Sequence, residues 1–400
     1  MSNLVLQGYD PKGFYCELLS GMSDRRVRER LAALSIADLG RRAADAEQAL
    51  YNLGITFTVY SDSEAIDRIL PFDPIPRVLS ASEWAQIERG VVQRVTALNL
   101  LLDDVYHDQK ILRDRVVPVD LILGNQNYRP AMRGATVPHK AYVNICGTDI
   151  VRGADGIFHV LEDNARTPSG VSYVIENRHM MLRAFPDLLD GVPLRRVDDY
   201  GLRLVRAMCD IAPTECGEAQ IVLLSPGTYN SAYFEHVFLS REMGVPLVEG
   251  RDLLVENDRV YMRTIAGPRR VDVIYRRIND DFLDPEVFRP DSRLGVPGLM
   301  RAYFAGNVAL ANAVGTGVAD DKAVYAYMPR IIRYYLDEEP VLANVETHIC
   351  REPDSLHYTL AHLDRLVVKP VGEAGGYGIT IGPRASRAEL DECRAKLVSD

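Results

Sequence analysis

Residues 367–382, VVKPVGEAGGYGITIG, join a short apolar run, a lysine and a glycine-rich stretch. The run predicts a strand that carries Val367 and Lys369 on one face and stops at Pro370, which lacks the N–H that a strand ladder needs. Four glycines follow between positions 372 and 378. Such backbone exposes N–H groups and lets an anion approach closely, which indicates a phosphate-binding loop beside a lysine. A glycine-rich hairpin turn is the alternative.

The spacing of these glycines matches neither GxxxxGK[ST] nor GxGxxG, so it supports neither a Walker-type fold nor a dinucleotide-binding Rossmann fold. The lysine itself is unusual, because only six of the 46 basic residues are lysines. Another of them, Lys322, follows two aspartates in DDKAVYAYMP, at the predicted start of a helix. Aspartates at that position cap a helix, which explains the aspartates and leaves the lysine unexplained.

Residues 158–170, FHVLEDNARTPSG, carry polar side chains at the end of a predicted strand. Alternation along the strand predicts two faces, one with Phe158, Val160, Glu162 and Asn164 and the other with His159, Leu161 and Asp163. A carboxylate and an amide oxygen that point together suit a hard cation such as Mg²⁺ and leave room for phosphates. The alternative is that these residues form a turn, as the TPSG that follows indicates.

Asp149 lies thirteen residues before Glu162. An antiparallel hairpin of residues 142–151 with residues 157–164 would bring Asp149 close to Glu162 and add a ligand to the metal site. Arg152 would then be the neighbouring positive charge. The alternative for Asp149 is a strand end that faces solvent.

The stretch VDVIYRRINDD places two adjacent arginines, Arg276 and Arg277, on opposite faces of a strand. At least one of them should face the interior or a cleft. A guanidinium in such a place normally requires a carboxylate or phosphate partner.

The pattern along the chain predicts an α/β protein. Apolar residues at three- and four-residue spacing predict helices in residues 24–50, 82–113, 172–185, 196–211, 231–243, 298–312, 322–335 and 386–398. Short extended runs are FTVYSD, VDLIL, AYVNICGTDIVRG, IFHVLEDN, IVLLSPG, VPLVEG, RVYMRT and VDVIYRR, and PFDPIPRVLS is an extended run broken by its prolines. IVLLSPGTYNSAYFEHVFLSREMGVPLVEG forms a compact strand, turn, helix and strand unit.

Composition excludes several classes of protein. The 400 residues have a net charge of −10 and a pI near 5.4, which argues against a nucleic-acid partner. The six cysteines include no CxxC pair, so neither a zinc module nor a disulfide framework is indicated. No basic leader with an apolar segment and no long uncharged apolar run occurs in the sequence. We therefore expect a cytoplasmic protein without a membrane partner.

Together these stretches resemble the circularly permuted ATP-grasp proteins of type 2, a group of bacterial proteins whose nearest characterised relatives are the glutathionylspermidine synthetases. The matching stretches occur in the expected order at residues 9–19, 161–178, 225–236, 271–277, 320–329 and 367–379. The resemblance implies an α/β (α+β) fold, a circularly permuted ATP-grasp with a helical N-terminal region and a strand–helix–strand pre-grasp unit. The permutation is visible because the metal-binding stretch precedes the lysines and the glycine loop.

The expected organisation has four parts. They are a mostly helical region at 1–118, a metal-binding part of the grasp at 119–214, a substrate or pre-grasp unit at 215–270, and an ATP-binding lobe at 271–400. Members of the family continue beyond the glycine loop and its helix, whereas this sequence ends at Asp400. The resemblance therefore predicts a lobe that is incomplete at its C-terminus, with an exposed sheet edge that would favour oligomers.

The resemblance also implies roles for individual residues. ATP phosphates would be bound by two lysines and the glycine loop, here Lys322, Lys369, Gly372, Gly375, Gly376 and Gly378. Mg²⁺ would be bound by Glu162, Asn164 and the preceding Asp149. Arg276, Arg277 and Arg166 are candidates for neutralising an acyl phosphate or binding the substrate carboxylate.

The implied function is an ATP-dependent carboxylate–amine ligase that joins a peptide or amino-acid-like acid to an amine through an acyl phosphate. Two alternatives stay open from the sequence. One is a nucleotide-binding or assembly subunit without catalysis, and the other is a phosphotransferase that stops at the phosphorylated product. Amine-dependent release of ADP, ATP affinity without turnover, and a stable phosphorylated product would distinguish the three.

Overall fold

The computed structural model describes residues 4–19, 25–60, 65–69, 71–213, 219–371 and 378–399, and in these ranges the protein is a mixed α/β structure. Its helices are α1 (Arg25–Ala33), α2 (Ile36–Asn52), α3 (Ala81–Tyr106), α4 (Lys110–Arg113), α5 (Val119–Leu123), α6 (Val171–Ala184), α7 (Pro186–Leu189), α8 (Tyr200–Asp210), α9 (Tyr233–Met243), α10 (Asp280–Leu283), α11 (Leu299–Phe304), α12 (Lys322–Ala326), α13 (Met328–Leu336), α14 (Pro353–Ala361) and α15 (Arg387–Ser399).

The strands are β1 (Thr56–Tyr60), β2 (Ala65–Ile69), β3 (Gly147–Arg152), β4 (Phe158–Asn164), β5 (Ile221–Leu224), β6 (Leu247–Val248), β7 (Leu253–Glu256), β8 (Arg259–Met262), β9 (Arg269–Val271), β10 (Val273–Arg276), β11 (Ala309–Ala311), β12 (Ala343–Asn344), β13 (Val367–Val368) and β14 (Thr380–Ile381).

In the described part of the first hundred residues, α1, α2 and the start of α3 are joined by the β1–β2 hairpin, which lies between α2 and α3. The sequence sets the start of the long helix α3 through a capping box. Ser80 Oγ accepts the N–H of Glu83 at 3.2 Å, and the Glu83 carboxylate accepts the N–H of Ser80 at 2.8 Å. Two of the N–H groups that a helix start leaves unbonded are thereby satisfied.

A parallel sheet with the order β11-β10-β5-β6 forms the centre of the molecule. The predicted strand–helix–strand unit is confirmed, because β5 and β6 are parallel neighbours joined by α9. All four residues of β5 are buried, as expected for a strand covered on both faces. Helix α9 ends at Gly244, whose positive φ of 66° suits glycine.

A second sheet positions the candidate site. Strands β3 and β4 form an antiparallel hairpin, and β12 adds to the other edge of β4 in parallel. The remaining sheets are small: β7-β8-β9 is antiparallel, and β13 pairs with β14. Buried side chains of α3, β5, β10 and α13 belong to one apolar cluster, so α3 packs into the same core as the central sheet.

Two of the predicted elements differ in type from the structure. VDLIL forms the helix α5 rather than a strand, since a short apolar run does not by itself distinguish the two. The predicted helix at 298–312 ends at Phe304, and residues 309–311 form β11 instead. PFDPIPRVLS contains no strand, in line with the prediction that its prolines break the extended run, since proline cannot donate to a ladder. Throughout the described ranges, no helix is long and apolar enough to cross a membrane.

Candidate functional site

The β3–β4 hairpin brings the predicted metal ligands together. Asp149 lies directly opposite Glu162, and Gly147 lies opposite Asn164. Residues opposite each other in an antiparallel pair have Cβ atoms about 4.5–5.5 Å apart, so Asp149 and Glu162 are neighbours. The amide nitrogen of Asn164 donates to the carbonyl of Gly147 at 3.1 Å. The predicted contact between Asp149 and Glu162 is therefore confirmed, and we call the side of the hairpin that carries Asp149, Glu162 and Asn164 the carboxylate face.

A β-bulge interrupts the β3–β4 pairing next to the Asp149–Glu162 pair. Asp149 pairs with Glu162, but the next residue of β3, Ile150, pairs with Val160. Leu161 is therefore the extra residue of β4. A bulge of this kind shifts the alternation of side chains by one position.

The shift changes which residues share a face of β4. Before the bulge the buried position is Val160, and after it the buried position is Asp163, which is 3 % exposed. The predicted grouping of Val160 with Glu162 and Asn164 is wrong for this reason. Glu162 and Asn164 do share a face, because both follow the bulge and lie on either side of Asp163.

Lys369 lies beside the carboxylate face. Its Nζ is 4.0 Å from Glu162 Oε2, and the two side chains are 27 % and 26 % exposed. Lys369 directly follows β13, as predicted for a lysine presented at a strand end. The structure thus brings together a lysine and a carboxylate that are more than two hundred positions apart in the sequence.

Arg152, the expected positive neighbour of Asp149, lies elsewhere. It pairs with Phe158 at the other end of the hairpin, and its guanidinium donates to Glu83 at 2.7 Å. Its guanidinium carbon also lies 3.8 Å from the centre of the Tyr15 ring, and Glu17 is within 3.4 Å. The expectation was wrong because these partners come from distant parts of the chain and draw the side chain away.

The glycine-rich segment is described only at its ends. Gly378 has a φ of 69°, and a Cβ there would lie 2.9 Å from Pro370 Cγ, so both backbone and space favour glycine. Gly372, Gly375 and Gly376 lie outside the described residues.

The electrostatics of the carboxylate face favour a bound cation. Desolvation, followed by the neighbouring Glu162 carboxylate, raises the pKa of Asp149, whereas Lys369 lowers it. Two adjacent carboxylates repel each other, and a cation between them would relieve that repulsion.

The donor set also fits Mg²⁺. It consists of the carboxylates of Asp149 and Glu162 and the amide of Asn164, all oxygen donors, and such a partial set is typical where phosphates complete the coordination. In the part of the chain that the structure describes, no group of three or more His, Cys, Asp or Glu side chains that could hold a metal occurs. The site would therefore depend on ligands from a bound nucleotide or water.

Lys322 is the first residue of α12 and is half-buried. Asp321 caps the helix, and its carboxylate accepts the N–H groups of Ala323 at 2.8 Å and Val324 at 3.0 Å. The predicted cap is therefore confirmed for Asp321. Its neighbour Asp320 turns instead toward the end of β4.

Asp320 connects the end of β4 with the start of α12. Its carboxylate accepts from the backbone N–H of Arg166 at 3.0 Å and from Arg166 Nε at 2.6 Å. Burial raises the pKa of Asp320, and Arg166 opposes that shift. The guanidinium of Arg166 also donates to Asn127 at 3.3 Å. Arg166 thus lies between the segment after Asn164 and the segment before Lys322.

Arg276 is completely buried at the end of β10. Its three guanidinium nitrogens donate to the backbone carbonyls of Asn312 at 2.7 Å, Ile278 at 2.9 Å and Ala313 at 2.8 Å. It also forms an ion pair with Asp280 at 2.9 Å. These contacts join the ends of β10 and β11.

Arg277 is also buried, on the opposite face of the strand. It forms an ion pair with Glu235 at 3.1 Å and donates to Tyr275 at 3.1 Å and to the carbonyl of Pro168 at 2.5 Å. Its Nε has no hydrogen-bond partner among the described residues. The expectation that at least one of the two arginines faces the interior is confirmed for both, and their catalytic roles stay predictions.

Sequence reasoning missed the pair formed by Arg94 and Asp163 directly behind the carboxylate face. Arg94 Nη2 is 2.5 Å from Asp163 Oδ2, and both side chains are almost completely buried. A signal was present, because Arg94 occupies the apolar stripe of α3 that includes Ile87 and Leu98. A charged residue in such a stripe requires a buried partner of opposite charge.

Residues 76–400 match a family described as a circularly permuted ATPgrasp. The chain therefore belongs to the circularly permuted ATP-grasp family, and the resemblance inferred from its motifs is confirmed.

Two relatives match nearly the whole chain. The chain is 49 % identical over 391 residues to an uncharacterized protein of Synechocystis sp., a match that covers 96 % of this chain and 81 % of that protein. It is 40 % identical over 406 residues to a Frankia alni protein whose name makes it a candidate glutamate–cysteine ligase, covering 99 % of this chain and 46 % of that protein.

A solved structure supports the fold. A glutathione synthetase-like effector from Globodera pallida, in its apo form, aligns with a TM-score of 0.51 at 11 % identity. The alignment covers 90 % of this chain and 79 % of that chain. At this level of identity the likeness concerns the fold alone.

Proposed function

We propose that the protein is an ATP-dependent carboxylate–amine ligase that forms an amide bond through an acyl phosphate. The proposal rests on the carboxylate face, with Lys369 beside it, in a chain of the circularly permuted ATP-grasp family. Paired carboxylates, an amide and a lysine are the groups needed to bind a metal–triphosphate. We assign the metal to Asp149, Glu162 and Asn164.

The residues of this chain would act mainly by binding and orienting. Lys369, with Lys322 on α12, would neutralise phosphate oxygens, and the glycine-rich segment would cover them with backbone N–H groups. Bound Mg²⁺ would supply Lewis-acid polarisation of the phosphates. Arg166, held between β4 and α12 by Asp320 and Asn127, is the candidate for binding an anionic group of the substrate.

The proposed reaction has two balanced steps. A carboxylate oxygen of the acid attacks the γ-phosphorus of ATP, the bond to the β,γ-bridging oxygen breaks, and ADP leaves. The amine nitrogen then attacks the acyl carbon, inorganic phosphate leaves with the C–O bond electrons, and the nitrogen loses its proton. Little covalent chemistry is required of the protein, whose contribution is positioning and charge stabilisation.

The name of one relative supports a proposal about the substrate class. The name of the Frankia alni protein refers to two amino acids, glutamate and cysteine, one of which would supply the acid and the other the amine. We therefore propose that this chain joins a peptide or amino-acid-like acid to an amine.

Calorimetric titration with ATP·Mg²⁺, beside the Glu162→Gln variant, tests the site. We expect the variant to lose the part of ATP binding that depends on Mg²⁺, because an amide replaces a charged metal ligand. Without nucleotide its melting temperature should equal or slightly exceed that of the unmodified protein, since the change removes the repulsion with Asp149. Glu392→Gln, on an exposed ion pair with Lys396, is the matched control and should bind normally.

Release of ADP in the presence of acid and amine panels tests the reaction. ADP release that requires both substrates supports the ligase. ATP binding without turnover on any panel would instead support a nucleotide-binding subunit, and a phosphorylated acid that accumulates would support a phosphotransferase. A large loss of apo stability in Glu162→Gln would show that Glu162 is structural and would remove the metal assignment.

A further inference from the structure

The guanidinium of Arg94 lies behind the carboxylate face, at a point where four elements meet. Arg94 extends from α3 and is 0 % exposed. Each of its guanidinium nitrogens has an acceptor. Nε and Nη2 donate to the two carboxylate oxygens of Asp163 at 3.3 Å and 2.5 Å, and Nη1 donates to Asn344 Oδ1 at 2.8 Å.

The contact with Asp163 fixes the metal-binding end of the hairpin. Asp163 lies between Glu162 and Asn164 in β4 and points to the opposite face. One of its oxygens also accepts the hydroxyl of Thr148 at 3.0 Å, and Thr148 directly precedes Asp149 in β3. The ion pair therefore holds both strands of the hairpin at the position of the three proposed metal ligands.

Through Asn344, Arg94 is also connected to α12, the helix that begins at Lys322. Asn344 belongs to β12, which pairs with β4, and its side-chain nitrogen donates to the carbonyl of Tyr325 at 2.8 Å. Tyr325 lies on α12, three residues after Lys322. Its hydroxyl donates to the carbonyl of Val160 in β4, and its ring lies 5.7 Å from the guanidinium carbon of Arg94.

We propose that Arg94 is a positioning residue that keeps the metal-binding hairpin and the helix of Lys322 in a fixed relative position, through Asp163 on one side and Asn344 and Tyr325 on the other. The inference rests on the proposed function, since it concerns the same nucleotide site. Arginine suits the task because its planar fork donates in several directions at once, whereas lysine offers a single point charge. Partners behind metal ligands commonly set their orientation.

The test is the dependence of ATP affinity on Mg²⁺, measured by calorimetry. The ratio of the Kd for ATP in EDTA to the Kd for ATP·Mg²⁺ measures how much Mg²⁺ strengthens ATP binding. This gain is large only if the metal ligands and the lysines contact the same nucleotide together. Arg94→Lys retains the positive charge for Asp163 but cannot also reach Asn344. We expect the ratio to fall by about tenfold or more, the usual effect of losing a group behind a metal ligand, while binding of ATP in EDTA changes little.

Two further variants test the same role of Arg94 if Arg94→Lys unfolds. Tyr325→Phe removes one hydroxyl from the connection between α12 and β4 and leaves the ion pair intact, so it should fold and still lower the ratio. Arg94→Met combined with Asp163→Leu replaces the buried ion pair by apolar side chains, an exchange that proteins often accept without loss of stability. If the pair serves stability alone, this double variant keeps the normal ratio.

The matched control is Arg333→Lys. Arg333 makes a comparable fork to Glu339, at 2.9 Å and 2.7 Å, on the exposed side of α13. Its ratio should equal that of the unmodified protein. A normal ratio in folded Arg94→Lys, or in the double variant, would overturn the positioning role while leaving the proposed function intact. Absence of Mg²⁺-dependent ATP binding in the unmodified protein would instead overturn the proposed function, and the inference with it.

Discussion

Lys369 is the residue whose role in phosphate binding can be tested most directly. It is partly exposed, with its nitrogen 4.0 Å from Glu162, so its removal should disturb the apo protein little. We expect Lys369→Ala to weaken ATP·Mg²⁺ binding by about 2 kcal/mol, roughly thirtyfold in Kd, the scale of a lost hydrogen bond to a charged group. Adenosine lacks phosphates and should bind equally to both forms.

Competition calorimetry with ATP and adenosine measures this difference. Lys396→Ala is the control, because Lys396 is an exposed lysine paired with Glu392 on α15. Equal losses of ATP and adenosine affinity in Lys369→Ala would contradict a phosphate-binding role.

At the residue scale, what the sequence predicted well was local. Asp149 and Glu162 lie on the two strands of one hairpin, so alternation and pairing bring them together over a short stretch of chain. The position of Arg152 was not predictable in this way. Its partners Glu17 and Glu83 come from the N-terminal part of the chain, and no local pattern indicates them.

Among the elements, the close packing of α3 against the chain beyond α13 gives a prediction about two glycines. A Cβ at Gly90 would lie 2.3 Å from Leu342 Cγ, and Leu342 is only 1 % exposed. We expect Gly90→Ala to lower the free energy of unfolding by about 1–3 kcal/mol, because the added methyl overpacks this contact. At Gly40 in α2, a Cβ would have no atom within 4 Å apart from its chain neighbours and the backbone of its own helix.

Gly40→Ala is therefore the matched control and should raise stability by up to about 1 kcal/mol through helix propensity. Urea denaturation of both variants measures the two changes. Stabilisation by Gly90→Ala would show that α3 does not approach Leu342 as closely as the structure has it.

The elements also show why part of the site escaped prediction. Period-two alternation predicts faces only where pairing is regular, and the extra residue Leu161 shifts the pattern in the middle of β4. VDLIL was predicted as a strand and forms a helix, whereas residues 309–311 were predicted as helix and form a strand. The surrounding packing decides which structure such short apolar runs adopt. A longer element with clear periodicity, such as α3, was predicted correctly at its start, although the predicted helix continues to residue 113 and α3 ends at Tyr106.

On the scale of the whole molecule, the sequence indicated the family through motifs spread along the chain, but not how their elements pack together. The central sheet places β10 and β11 beside β5, although other strands and helices intervene in the sequence. The largest apolar cluster among the described residues includes side chains of both α3 and α13, which lie on either side of the predicted domain boundary at residue 118. This domain boundary stays a prediction. It was set where the sequence pattern changes, whereas the apolar core around the sheet continues across it.

Because the core is continuous, we expect the part of the chain from α3 to α13 to unfold in one cooperative transition. ATP·Mg²⁺ at a hundred times its Kd should raise the free energy of that transition by about 2.7 kcal/mol, since a ligand that binds one site of the folded state stabilises it by mass action. Trp84, the single tryptophan of the sequence, lies in α3 and provides a fluorescence probe remote from Lys369 in the sequence. In urea titrations, its transition and that of circular dichroism should move together when nucleotide is added. If circular dichroism shifts while the Trp84 transition does not, α3 belongs to a separately folding unit, and the limit at 118 divides two domains in the thermodynamic sense.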